Sequence, residues 1–290
     1  MKYTFLLLVL MFIALFAPVF PSVLEPQARP VSATVIFGGD MMFDRYIRQI
    51  TDTVGGDYLF SCIDPVLFGA DLVVANLEGP ITDSPPSSEP LTFTFPPETA
   101  ALLARHNIGM VNLGNNHILN FGAAGKESTE SYLRTAGVRF FGPGIATTTV
   151  NGIPLAFINY NEFSAASSYA SVLQNTSIVR EEGYVPIVYA HWGEEYSSTT
   201  ARQRELAHQF VDAGAAIVIG SHPHVVQEHE LYKRKNIYYS LGNFIFDQYF
   251  SPEVRRGLLL RLTVTPTGVS GIEELPVELL SDGRTCLVQQ

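Results

Sequence analysis

Carboxylates, imidazoles and one amide recur in short turns of this sequence, and they are the side chains that could hold divalent metal. The candidates are Asp40 in Gly38-Gly39-Asp40, Glu78 in Asn76-Leu77-Glu78-Gly79 and Asn116 in Gly114-Asn115-Asn116-His117. His191 follows in His191-Trp192-Gly193, and His222 and His224 share Gly220-Ser221-His222-Pro223-His224. Of the seven histidines, four lie in these turns, His117 being the fourth; His106, His208 and His229 stand in ordinary polar or helical contexts. Oxygen and neutral imidazole donors suit borderline ions such as Mn²⁺, Fe²⁺ or Zn²⁺. The lack of thiolates argues against a structural zinc site. Two ions about 3.5–4 Å apart can share one carboxylate and activate water for attack. A histidine beside them that is not a ligand can protonate a leaving group. A lone Gly-Asp carries little of this inference; two histidines flanking a rigid proline in a tight turn carry most of it.

The elements that must position these groups follow a repeated unit, an apolar β-branched run ending in a polar turn. The runs are Ser32–Phe37, Asp71–Ala75, Ile108–Leu113, Val185–Ala190, Ala215–Ile219 and Asn236–Ser240. Short runs that are apolar on both faces read as buried strands of an α/β protein. Helices are predicted over Pro97–His106, Ser128–Thr135 and Thr200–Ala213, the last with Gly214 as its stop. Leu258–Thr263 and Val269–Leu279 read as two antiparallel strands around Pro266-Thr267-Gly268. Open α/β sheets bind ligands outside the carboxyl ends of their strands, and here five strands each deliver a ligand type at that end.

The 290 residues, 47% hydrophobic and 16% charged, suffice for a substantial core in one large domain or two small ones. The net charge of −10, with Lys233-Arg234-Lys235 as the one basic run, speaks against a nucleic-acid partner. It would also repel a polyanion at long range unless bound cations reverse the local field. Lys2 and the apolar run Phe5–Ala17, followed by Pro18 and Pro21, read as a signal peptide or an N-terminal membrane anchor with a linker over residues 1–30. Either way the expected location is extracytoplasmic, secreted or anchored. Export would permit a Cys62–Cys286 disulfide; two buried thiols are the equal alternative.

The order Gly-Asp, Asn-Leu-Glu, Asn-Asn-His, His-Trp-Gly, Gly-x-His-Pro-His and Ser-Leu-Gly-Asn-Phe resembles that of the bacterial poly-γ-glutamate capsule-synthesis (CapA-like) proteins. These are distant relatives of the calcineurin-type metallophosphoesterases. The resemblance covers about residues 33–250, within a domain of residues 31–290. It implies a four-layer α/β/β/α sandwich of the metallophosphoesterase type. It also implies that Asp40 and His224 bind a first metal, that Asn116, His191 and His222 bind a second, and that Glu78 bridges both. His117 would be the general acid. Glu194, Glu195 and Asn243 match family positions that support ligands or face substrate; for Asn243, as for Trp192, packing and loop hydrogen bonds are the stronger expectation. Two departures stand out. Met42 occupies the place of the histidine in the usual Asp-x-His, leaving Asp44 as a possible helper. Asn120 stands where the family often has an aspartate.

Three functions follow as expectations. The first is a metal-dependent hydrolase or transferase acting on an exported anionic polymer. The second is a non-catalytic, membrane-associated accessory subunit of a polyglutamate synthesis and export complex. The third is a phosphoesterase, for which only Arg45, Arg202 and Arg204 offer positive charge to a phosphate.

Overall fold

A computed structural model describes residues 31–288; the signal or anchor expected over residues 1–30 lies outside the described residues. No described helix is long and apolar enough to cross a membrane. The chain opens on β1 (Ala33–Met41), α1 (Arg45–Val54), α2 (Asp64–Leu67), β2 (Leu72–Leu77), α3 (Glu98–Arg105), β3 (Ile108–Asn112), α4 (Gly122–Ala136) and β4 (Arg139–Phe141). It continues through β5 (Gly144–Val150), β6 (Ile153–Asn161), α5 (Tyr169–Glu181), β7 (Val185–His191), α6 (Ala201–Ala213), β8 (Ile217–Ser221), β9 (His229–Tyr232) and β10 (Lys235–Tyr238). Strands β11 (Asn243–Ile245), β12 (Arg256–Thr265), β13 (Gly268–Leu279) and β14 (Thr285–Leu287) complete it.

Two sheets result. The larger has the order β14-β13-β12-β1-β2-β3-β4, with β11 also pairing β1; the smaller has the order β5-β6-β7-β8-β10-β9. Strands β1 to β4 run parallel, as do β6, β7, β8 and β10, because a helix carries the chain across most of these steps. The β12–β13 hairpin is antiparallel, as the turn at Pro266-Thr267-Gly268 predicts.

Period-two alternation sorts the strand residues into three cores. Leu72 and Val74 of β2, Met110 of β3, Val185, Ile187 and Tyr189 of β7, and Ile217 and Ile219 of β8 meet between the sheets. Val73, Ala75 and Val111 turn outward against Ile47 of α1, Leu102 and Leu103 of α3, and Leu133 of α4. Val188, Ala190 and Val218 pack against Val172 and Val179 of α5 and Leu206 and Phe210 of α6. Helices outside two face-to-face sheets make the α/β/β/α sandwich.

Several elements extend beyond their sequence limits. Strand β1 continues through Asp40 because β11 lies alongside: Asp40 N donates to Gly242 O at 3.1 Å and Met42 N to Ile245 O at 2.8 Å. Gly39 makes this possible, since a methyl group there would collide with the Gly242 carbonyl. Helix α6 begins at a reciprocal Thr200–Gln203 capping box and ends at Gly214, whose φ of 116° suits glycine. Cys62 and Cys286, 224 residues apart, form a disulfide.

Candidate metal centre

The same alternation that fills the inter-sheet core determines what closes its top. One step of two beyond Leu72 and Val74 comes Asn76; beyond Met110, Asn112; beyond Tyr189, His191; beyond Ile219, Ser221. Register sets Asp40 abreast of Asn76, Asn76 abreast of Asn112, and His191 abreast of Ser221. A polar layer therefore sits directly on the apolar one, and the turns after the strands bring Glu78, Asn116, His117, His222 and His224 over it.

Two groups of buried ligand-type atoms meet there: Glu78 with His191 and His222, and Asp40 with Glu78 and His224. Within each group the ligand atoms lie within 4.8 Å of one another, and Glu78 belongs to both. Glu78 Oε1 is buried without a hydrogen-bond partner, as is His222 Nδ1. A buried carboxylate oxygen lacking a donor is costly, and a cation between these groups would satisfy it. His224 Nε2 lies 3.7 Å and His117 Nε2 3.9 Å from that oxygen. Asn116 Oδ1 lies 2.9 Å from His191 Nε2, so the amide joins the second group at its open edge. The donors present, two carboxylates, three imidazoles and an amide oxygen, fit divalent metal.

Hydrogen bonds from behind fix the orientation of these side chains. Asn76 Nδ2 donates to Asp40 Oδ1 at 2.7 Å and to Glu78 Oε2 at 3.3 Å. Its own Oδ1 accepts from Asn112 at 2.9 Å and Asn115 at 3.1 Å, and Asn112 Oδ1 accepts from Asn159 of the other sheet at 3.0 Å. His222 N donates to Asp40 Oδ2 at 3.0 Å. His191 Nδ1 meets Ser221 Oγ at 3.0 Å and His224 Nδ1 meets Asn243 Oδ1 at 2.9 Å, each leaving Nε2 toward the centre. Such contacts select the ring tautomer and orientation a metal needs. His222 and His224 adopt φ of 98° and 57° around Pro223, left-handed backbone that histidine seldom takes and that concentrates at functional sites.

Burial controls protonation. Desolvation pushes Asp40 up to about 6. Glu78 is raised well above the ordinary carboxylate range by burial and then by the charge of Asp40. Burial lowers His222 to about 4 and His224 to about 3, and carries His191 well below the usual imidazole range. The histidines are thus neutral, ready to ligate, while the carboxylates resist ionising together without a cation.

The remaining expectations divide. Asn243 stands behind His224, also donating to Gln248 Oε1 at 3.1 Å. Asn120 Oδ1 accepts at 3.1 Å from His117 Nδ1, the place where an aspartate would act on that ring. Burial lowers the His117 pKa. Asp44 joins neither group: its carboxylate accepts from Arg45 N, Arg48 Nε and Thr94 N, each at 2.9 Å, as the N-cap of α1. Met42 is wholly buried in the outer core. Glu194 and Glu195 are exposed and join neither group; Trp192 is a core residue whose Nε1 donates to Tyr239 O at 2.9 Å. Sequence reasoning passed over Asn76, Ser221 and Asn159, although Asn76 and Ser221 lie inside the motifs that it singled out.

Residues 34–248 match the family model described as bacterial capsule synthesis protein PGA_cap. The chain is 28% identical to the PGA biosynthesis protein CapA of Bacillus subtilis, over 96% of this chain and 81% of that protein. It is likewise 28% identical to the capsule biosynthesis protein CapA of Bacillus anthracis, over 85% of this chain and 67% of that one. Among solved structures, TT1561 of Thermus thermophilus superposes with a TM-score of 0.46 at 11% identity, covering 83% of this chain and 97% of that one. The polar turns that crown the sandwich all lie within the matched residues, and the chain belongs to the PGA_cap family of bacterial capsule synthesis proteins.

Proposed function

We propose that this protein is an exported, metal-dependent hydrolase or transferase that acts on an anionic capsule polymer of the poly-γ-glutamate type. One observation carries the reading: the buried, unpartnered Glu78 Oε1 is shared by two groups of ligand atoms. Asp40, Glu78 and His224 would hold one divalent ion, and Glu78, Asn116, His191 and His222 the other. Ions bound there would supply Lewis acidity and activate water. His117 is the proton donor, with Nδ1 held by Asn120 and Nε2 turned to the centre. The Cys62–Cys286 disulfide and the apolar N-terminal run support export, since disulfides persist in oxidising compartments.

Wild type and Glu78→Gln should be assayed with added Mn²⁺ on a γ-linked glutamate polymer and on an aryl phosphodiester. Glu78→Gln should lower polymer cleavage about a hundredfold or more. Cleavage of the phosphodiester alone would favour the phosphoesterase reading. Equal cleavage by metal-stripped protein would contradict both. A wild type that binds metal, cleaves neither substrate and co-purifies with membrane components would favour the accessory subunit.

A further inference from the structure

Arg45 stands beside the candidate site, held there by an ion pair with Asp247. It follows the N-cap of α1 with φ of 51°, a left-handed backbone unusual for a long side chain. Its Nε donates to Asp247 Oδ2 at 3.1 Å, its Nη2 pairs with Asp247 Oδ1, and Tyr46 N donates to the same carboxylate at 3.1 Å. Asp247 is 8% exposed, so one edge of the guanidinium is locked. The arginine side chain itself remains 32% exposed, and its side-chain hydrogen bonds among the described residues run from Nε and Nη2, not Nη1.

The guanidinium lies near the candidate metal centre, across two aromatic rings. The guanidinium carbon stands 5.1 Å from the centre of the Phe93 ring and 5.6 Å from that of Phe246. Phe93 packs on His117 at 4.3 Å between ring centres, and Phe246 on His224 at 4.8 Å. Arg45 is thus one aromatic ring away from the candidate proton donor on one side and a candidate ligand on the other. The other two arginines considered for this role are engaged elsewhere on α6: Arg202 pairs with Glu205 and Arg204 with Glu228.

We propose that Arg45 anchors an oxyanion of the substrate, a carboxylate or a phosphate, beside the bond that is broken. Asp247 and the two phenylalanine rings orient the fork in advance, so little side-chain entropy is lost when the anion arrives. Planar donors paired with an oxyanion give the directional contact that a lysine would not. On a chain of net charge −10, such a contact adds to the bound cations in holding an anionic substrate. The inference rests on the proposed function for its location and sharpens the substrate class.

The test compares wild type, Arg45→Lys and the double variant Arg45→Met/Asp247→Asn, which removes the ion pair without stranding a buried carboxylate. Each is loaded with Mn²⁺, and metal stoichiometry and thermal unfolding are recorded. Binding and cleavage are then followed with a γ-linked glutamate oligomer, its methyl ester, and an aryl phosphodiester. The double variant should bind the same metal, show a KM and a Kd for the oligomer raised about tenfold, and change kcat little. The methyl ester should be unaffected, and Arg45→Lys should restore part of the affinity. An effect confined to the phosphodiester would keep the anchor and identify its anion as phosphate. Oligomer binding that depends on Arg45 without cleavage by any form would keep the anchor and overturn the hydrolase reading. Unchanged affinity for both anions, equal weakening toward the methyl ester, or no anion binding by wild type would overturn the proposal.

Discussion

Glu78 and Asp40 are two carboxylates buried within one polar layer, and most of the chemistry of the site follows from that. Asp40 keeps its proton to about 6 in the fold against an ordinary value of 3.8. A raised pKa means that the stability it contributes is fully present below pH 3.8 and is lost as pH rises through about 6. In chelator, the wild type should lose on the order of 2 kcal/mol relative to Asp40→Asn between pH 4 and pH 7, measured by urea unfolding at each pH. A flat difference across that window would count against the buried carboxylate. Asn120 supports a second expectation. An aspartate in its place would hold a negative charge against His117 Nδ1, at the 3.1 Å contact seen here, and raise the ring's pKa. A proton donor must be protonated, so Asn120→Asp should move the alkaline limb of the rate profile to higher pH by about one unit. An unmoved limb would remove His117 from that role. Much at this scale was legible. Asp40, Glu78, Asn116, His191, His222 and His224 announce themselves by residue type after apolar runs. The Asn243–His224 contact was not, because it joins residues brought together only when β11 pairs with β1.

Strands explain why the ligands converge. Alternation places Asn76, Asn112, His191 and Ser221 at the head of the inter-sheet core, and counting by two from Leu72, Met110, Val185 and Ile217 would have found them. The sequence hides other elements for physical reasons. Strand β6 carries Pro154, a residue that argues against an interior strand, and follows the threonine-rich, half-exposed β5. Strand β1 reads as ending at Gly38-Gly39, yet these glycines let β11 approach and carry the strand on to Asp40. Gly39→Ala should therefore destabilise the protein by about 3 kcal/mol or more and weaken metal binding with it. Denaturant unfolding and a metal titration on the same sample would check this; a stable variant with normal metal affinity would show that the close approach is dispensable. Asn243→Ala, by contrast, should leave the fold intact and weaken metal binding about tenfold to a hundredfold through loss of the contact that orients His224.

Across the described residues, the two sheets and their flanking helices form a four-layer block, and the Cys62–Cys286 bond ties β14, the edge strand of the larger sheet, to the segment after α1. The pairing could not be read from spacing, since it depends on where β14 lands against β13, close to the 3-10 turn over Gly56–Phe60 that precedes Cys62. The bond spans 224 residues. Replacing both cysteines with serine should lower unfolding stability by about 2–4 kcal/mol, checked by denaturant melts of oxidised and reduced protein. The candidate metal centre lies at the carboxyl ends of strands from both sheets, so the binding of metal should couple them. Calorimetric Mn²⁺ titration of wild type and Glu78→Gln is the most direct test of the site. Wild type should take two ions per chain with unequal affinities, the weaker in the Asp40 group, which offers one imidazole where the other offers two, and Glu78→Gln should lose the weaker and loosen the other. One ion or none in the wild type, or identical isotherms for the two proteins, would contradict a centre built on a shared Glu78.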